Sequence, residues 1–259
     1  MRIGATLPAS SATGGPIGSR DIAGAAALME ELGFASLWVF DAIGRGFILP
    51  DPLTALAVAA TVTTRVELGT GVFQLPLRGT VDIAHRVLTL HHIAEGRFLF
   101  GVGPGSTRAD FDACGVPFEE RFGRFEQELP RLRALLSTGR SIDGEIDLTP
   151  WPDAIGGPPV FLAGWRGSWV ERAAREADGW IASAHYSDDA ALADGIARFR
   201  DAGGKRAVVT HVRVGRELGP AIERLQRLRD LGFDDGVVLV ARPSEERLGA
   251  LLEATSCRM

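Results

Sequence analysis

An α/β barrel of eight parallel strands, the TIM-type (β/α)8 fold, is the fold class this sequence predicts, and three observations carry the prediction. A short apolar run followed by a segment patterned at the helical period recurs eight times along 259 residues. No shift in composition marks a second domain, so a single domain over 1–259 is expected. Several of the apolar runs end in glycine-rich turns, the place where an α/β protein keeps its active site. Right-handed crossovers set each strand beside its predecessor, and eight such strands can close; an open doubly wound sheet is the competing arrangement.

Taken in order, Arg2 to Leu7 reads as the first strand, Ile22 to Leu32 as a helix stopped by Gly33, and Ala35 to Phe40 as the second strand. Pro52 to Thr63 is predicted helical, Val66 to Val72 is the third strand, Thr80 to Ala94 is a helix closed by Gly96, and Phe98 to Val102 is the fourth strand. In RFLFGVGPGS (97–106), β-formers run into Gly101, Gly103 and Gly105, which implies a buried strand whose end lets something approach the backbone closely. Arg108 to Leu136 is patterned as helix. An irregular insertion at about 137–159, rich in Gly, Pro, Ser and Asp, follows and is expected as a surface loop or lid over the site. Val160 to Ala163, Trp180 to Ala184, Ala207 to Val214 and Val237 to Ala241 supply four more strands. Their helices are Ser168 to Ala177, Asp188 to Ala202, Gly219 to Leu231 and Ser244 to Ala254.

Composition narrows the function classes. A chain that is 46% hydrophobic and 24% charged can bury a large core. The net charge of −5 is spread without a basic run, which excludes a nucleic-acid binder. Cys114 and Cys257 stand far apart with no clustered His, so neither a disulfide framework nor a metal site is expected. No apolar segment is long enough for an export signal or a membrane span, and a cytoplasmic protein without a membrane partner is expected.

The residues just after each strand are the candidates for chemistry. They are Asp41 after the second strand, Thr70, Gly71, Val72 and Gln74 at the third, Gly103, Gly105 and Ser106 at the fourth, AGWRGS (163–168) at the fifth, and Ser183, His185 and Tyr186 at the sixth. They form no Ser/His/Asp set and no carboxylate–His cluster, so an organic cofactor is the economical source of reactivity. In AGWRGS, Gly164 and Gly167 allow a tight turn and Ser168 opens a helix; the free N–H groups there, with Arg166, favour an anion such as a phosphate, unless Ser168 only caps its helix. Trp165 and Trp169 flank a planar ring or fill the core. Asp41 bonds a ligand or pairs locally. His185 is the imidazole best placed for proton transfer and the candidate catalytic residue, whereas His211, in mid-strand, is expected to be structural. Glu119, Arg121, Arg124 and Glu128 are expected on a solvated or packing face.

Four segments carry a resemblance: MRIGATLP at the start, EELGFASLWVFDAI at 30–43, the long block from RVELGTG through GRFLFGVGPGS to GVPFEERFGRFEQEL at 65–129, and VFLAGWRGSWVERAAREADGWIASA at 160–184. Together they resemble the luciferase-like monooxygenase family. The resemblance implies a TIM-type barrel binding FMN, or in a related branch the deazaflavin coenzyme F-420, at the C-terminal ends of the strands. It implies an enzyme in which reduced FMN and O2 oxidise a small organic substrate. Hydride transfer with F-420 and a non-catalytic flavin-binding barrel are the alternatives.

For the residues, the resemblance implies ring contacts from Asp41, Thr70, Gly71 and Val72, with Gly71–Val72 the place for a non-proline cis peptide. It implies phosphate contacts from Gly164, Arg166, Gly167 and Ser168 and from Gly103, Gly105 and Ser106, with Trp165 and Ser183 further cofactor contacts. It also implies a flavin reductase or a nicotinamide as electron source, and a homodimer. The chain departs from many relatives at Ala42, where they carry His, and at Ser106, where Trp is common.

Overall fold

The computed structural model describes residues 1–10, 15–46, 49–164, 167–240 and 244–256. In chain order the elements are β1 (Arg2–Thr6), α1 (Ser19–Leu32), β2 (Ser36–Val39), α2 (Pro52–Ala60), β3 (Glu67–Thr70), β4 (Phe73–Gln74), α3 (Thr80–Ile93), β5 (Phe98–Gly103), α4 (Arg108–Ala113) and α5 (Arg121–Thr138). The second half continues with β6 (Val160–Ala163), α6 (Trp169–Glu176), β7 (Gly179–Ser183), α7 (Asp189–Asp201), β8 (Ala207–Arg213), α8 (Gly219–Asp230), β9 (Asp235–Leu239) and α9 (Glu245–Ser256). Local chemistry sets many of the boundaries. Asp51 caps α2 by accepting from the Thr54 N–H, with Pro52 at the first helical position, and left-handed Gly33 ends α1.

Every ladder between these strands is parallel, and the strands close on themselves: β1 lies between β2 and β9, β2 pairs with β3, β3 with β5, and the series runs on through β6, β7 and β8 to β9. The two-residue β4 continues the path of β3 beyond the Gly71–Val72 peptide, which is cis, and adds to the edge of β5. The result is the closed eight-stranded barrel that the strand–helix alternation predicts.

Inside the barrel, Trp38, Leu99, Phe161, Ile181, Val208 and Val237 form one buried cluster, each from a different strand. Backbone room for these large side chains comes from glycine: a Cβ at Gly69 would stand 2.5 Å from the Trp38 ring. At Gly101 a Cβ would stand 2.0 Å from the Thr70 carbonyl oxygen and 2.4 Å from Ile181 Cδ1. The close approach that this glycine permits is therefore made by the protein's own interior. A second, larger cluster fills the layer between strands and helices.

Two expectations change. The patterned stretch 108–136 is broken at Gly115 (φ +66°) and Pro117 into α4, a single 3-10 turn at Phe118–Glu120, and α5. The irregular segment after α5 does not cover the barrel mouth. It joins a helix to the start of β6, and such a connection belongs to the N-terminal face, opposite the site. There Trp151 stacks on His92 of α3 with centroids 4.6 Å apart, and the Gly156 N–H donates to the Leu136 carbonyl of α5.

Candidate active site

At the C-terminal mouth the strand ends surround a cavity of about 360 Å³, a size suited to an organic ligand. Phe40, Asp41 and Arg45 reach it from the end of β2, and Gly71, Val72 and Gln74 from β3 and β4. The β5 turn contributes Gly103, Pro104, Gly105 and Ser106, and the start of α5 contributes Arg121 and Phe122. Ala163, Gly164 and Trp169 come from the β6–α6 turn, Ile181, Ser183 and Tyr186 from β7 and the loop after it, and Thr210 and His211 from β8.

A buried polar frame holds the β2 and β4 side. Asp41 accepts from both terminal nitrogens of Arg78, at 2.6 and 2.8 Å, and from the Gln74 backbone N–H at 2.9 Å, so its two oxygens are already engaged. Burial disfavours the Arg78 cation, but the Asp41 carboxylate more than offsets this and keeps the guanidinium charged. Asp110 of α4 is fully buried; it accepts from Arg45, from the Ile43 and Gly44 N–H groups, and from Gln74 Nε2 at 2.9 Å. Burial pushes the Asp110 carboxyl up, and the hydrogen bonds from Arg45 and Gln74 outweigh it and hold it below the ordinary range.

Gln74 is the hinge of this frame. Its Nε2 donates to the Asp41 carbonyl and to Asp110, which fixes the amide so that Oε1 points toward Gly105. That oxygen is buried without a partner among the described residues. An unpaired buried acceptor beside a ligand-sized cavity fits the N–H edge of a bound heterocycle. Apolar surface from Phe40, Val72, Ile181 and Phe122 fits the face of a flat ring.

Two cations differ in how they are used. Arg45 is committed to Asp110. Arg121 has its guanidinium 3.9 Å from the Phe118 ring centroid and 4.3 Å from that of Phe122, donates to the Phe118 carbonyl, and has no carboxylate partner among the described residues. Desolvation disfavours its charged form, the situation in which an incoming anion is welcome.

The structure brings Asp41, Gly71, Val72, Gly103, Gly105, Ser106, Gly164 and Ser183 to one cavity. Thr70 is not among them: its side chain is fully buried and Oγ1 donates to the Gly101 carbonyl at 2.8 Å, inside the wall. His185 stands on the outer side of the mouth, exposed, edge-on to Tyr186 and with Nδ1 3.3 Å from Arg213 Nη2; it does not line the cavity. Gly167 and Ser168 are exposed at the rim. Ser168 makes no side-chain cap bond to α6, so its hydroxyl is not used up by local capping. Trp165 and Arg166 lie outside the described residues.

Lining residues not expected from sequence include Arg121, read as part of a solvated or packing face, Phe122, which was not singled out, and His211, read as structural. The first two follow the glycine turn closely in sequence, a proximity that could have flagged them. For His211 no local signal exists.

The family described as luciferase-like monooxygenase matches residues 1–230. A 5,10-methylenetetrahydromethanopterin reductase of Methanolobus tindarius is 28% identical over 173 residues, which is 65% of this chain and 51% of that protein. The chain spans about half or less of the length of the first curated relatives it matches, 51%, 33% and 30%. Among solved structures, a monooxygenase from Streptomyces bottropensis superposes with a TM-score of 0.81 at 19% identity, covering 100% of this chain and 98% of that one. An F420-dependent secondary alcohol dehydrogenase, solved with an F420–acetone adduct, gives 0.79 at 13% identity, with 98% of each chain covered. At those identities the likeness is one of fold.

Proposed function

Because the chain belongs to the luciferase-like monooxygenase family, we propose that it is a flavin-dependent oxidoreductase that holds FMN at the barrel mouth and oxidises a small organic substrate with reduced FMN and O2. The observation that supports this reading is a ligand-sized cavity with apolar walls at the barrel mouth, lined in part by Gln74, whose Oε1 is left without a partner among the described residues by the two hydrogen bonds its Nε2 donates. When bound, FMN supplies the redox chemistry, and a flavin reductase or a nicotinamide supplies its electrons.

The chain's own contribution is binding and orientation. Gln74 would offer its unpaired Oε1 to a ring N–H, and Val72, Ile181 and Phe40 would cover apolar ring surface and exclude water. Arg121 would offset the phosphate charge, helped by Gly167, Ser168 and the backbone N–H groups at the start of α6. The charges of Asp41 and Asp110 are already neutralised by Arg78 and Arg45, so the frame presents no free carboxylate to an electron-rich ring.

Titration of the cofactor-free protein with FMN and, separately, with F-420, followed by fluorescence, tests the reading. Saturable binding of FMN is expected, and it is abolished in Ala163→Trp, whose indole fills the cavity. Binding of F-420 without FMN replaces oxygen chemistry by hydride transfer. Binding of neither overturns the proposal, and undiminished binding in Ala163→Trp moves the cofactor elsewhere.

A further inference from the structure

Strand alternation along AVVTHVR (207–213) puts Val208 and Thr210 on the inner face of β8 and His211 on the outer one. The register against β9 shifts between Val209 and Val212, a bulge that adds a residue to one strand. As a result Thr210 and His211 both line the cavity, while Val212 packs into the outer core. His211 carries φ +67°, left-handed backbone that a residue with a Cβ adopts at a cost.

The imidazole is held from several sides. Its ring stacks on Phe40, centroids 4.2 Å apart and planes 10° from parallel. Nδ1 lies 2.7 Å from Thr210 Oγ1 and 3.3 Å from Ser183 Oγ. Thr210 Oγ1 is also 3.1 Å from the Ala182 carbonyl, which can only accept, and we assign its single hydroxyl hydrogen there. With that assignment Thr210 Oγ1 accepts from the imidazole, which places the ring proton on Nδ1 and a lone pair on Nε2. No described residue donates to Nε2.

We propose that His211 Nε2 is the hydrogen-bond acceptor by which this cavity selects a ligand that presents an O–H or N–H donor beside Phe40. The assignment rests on the cavity being the ligand site of the preceding section. A hydroxyl of the substrate and a ring N–H of the cofactor share this donor chemistry. The charged and titratable groups that act on His211 are His185, with ring centroids 6.2 Å apart, Arg213 and Arg45. Burial, followed by these like charges, lowers the imidazole to about 4, which keeps Nε2 a neutral acceptor near neutral pH.

Two variants and two probes test this. Asn at 211 tolerates the left-handed backbone and its amide N–H replaces Nδ1–H toward Thr210, but it has nothing in place of Nε2; Gly accepts the same backbone with no side chain. For the wild type, 2-naphthol is expected to bind about tenfold more tightly than 2-methoxynaphthalene, and the preference disappears in both His211→Asn and His211→Gly. Unchanged FMN affinity in the variants assigns the donor to the substrate. An FMN affinity about tenfold weaker in both, with the two naphthalenes binding alike to the wild type, assigns it to the cofactor. Variants that match the wild type toward all three compounds overturn the proposal, as does a long-range proton–nitrogen NMR spectrum with the proton on Nε2. If neither FMN nor F-420 binds but the naphthol preference and its loss stand, the cofactor reading fails and the His211 assignment survives.

Discussion

Gly105 shows how single atoms decide whether the mouth stays open. Its backbone is left-handed at φ +82°, and a Cβ would stand 2.6 Å from Gln74 Oε1 and 2.8 Å from Phe111 Cε2. Gly115, also left-handed at φ +66°, has open space where its Cβ would be. Gly115→Ala is therefore expected to lower stability by about 1 kcal/mol through backbone strain alone. Gly105→Ala adds a clash to the same strain and is expected to cost about 3 kcal/mol and to weaken FMN binding, because it displaces the amide that faces the cavity. Urea unfolding and FMN titration of the two variants check this; equal effects on stability and binding would contradict it. Asp110 acts at the same scale. One buried carboxylate takes hydrogen bonds from the Arg45 guanidinium, the Gln74 amide and two backbone N–H groups, so α4 and the loop after β2 are tied into one rigid wall.

Among the elements, the break between α4 and α5 matters more for the site than the long irregular segment that follows. The 3-10 turn at Phe118–Glu120 aims the first residues of α5 at the mouth, where Phe122 tilts against Trp169 with centroids 6.2 Å apart. The segment after α5 packs on α3 and α5 at the opposite end. Replacing residues 142–146 by two glycines is expected to leave FMN affinity within about twofold, since a surface loop can be shortened at small entropic cost. Phe122→Ala is expected to weaken FMN several-fold through lost apolar contact. A loss of affinity in the loop variant alone would return the lid role to that segment. In β8 a single bulge performs the decisive placement, turning His211 toward the cavity while the ladder to β9 resumes at Val212.

For the whole molecule, the two ends of the barrel divide the work. At the N-terminal end, Arg206 bonds Glu67 at 2.7 Å and the fully buried Asp235 at 2.8 Å, and Arg2 joins both carboxylates. These residues begin β1, β3 and β9 or immediately precede β8, so the network closes the base electrostatically. Burial pushes the Glu67 carboxyl up, and the bonds from Arg206 and Arg2 outweigh it and hold it below the ordinary carboxylate range. A depressed folded pKa means stabilisation that is complete above the unfolded value and lost as pH falls through the folded one. Glu67→Gln is expected to cost about 2 kcal/mol at neutral pH. Tm measured against pH should show the two proteins converging as pH drops below about 4; a constant gap would refute the linkage. Residues 1–259 announce their element order locally, through apolar period, caps such as Asp51, and left-handed glycines such as Gly33, and eight repeats of one unit leave little choice but closure. Asp41, Gly71, Val72, Gly103, Gly105, Ser106, Gly164 and Ser183 were legible as cavity residues for the same reason: each follows or ends a strand. The inward turn of Thr70 into the wall, the outward stand of His185, the arrival of Arg121 and the face taken by His211 were not. Parity along a strand assigns a side chain to a face only while the register is unbroken, and register, like the choice of partner for a buried charge, is fixed by residues far away in sequence.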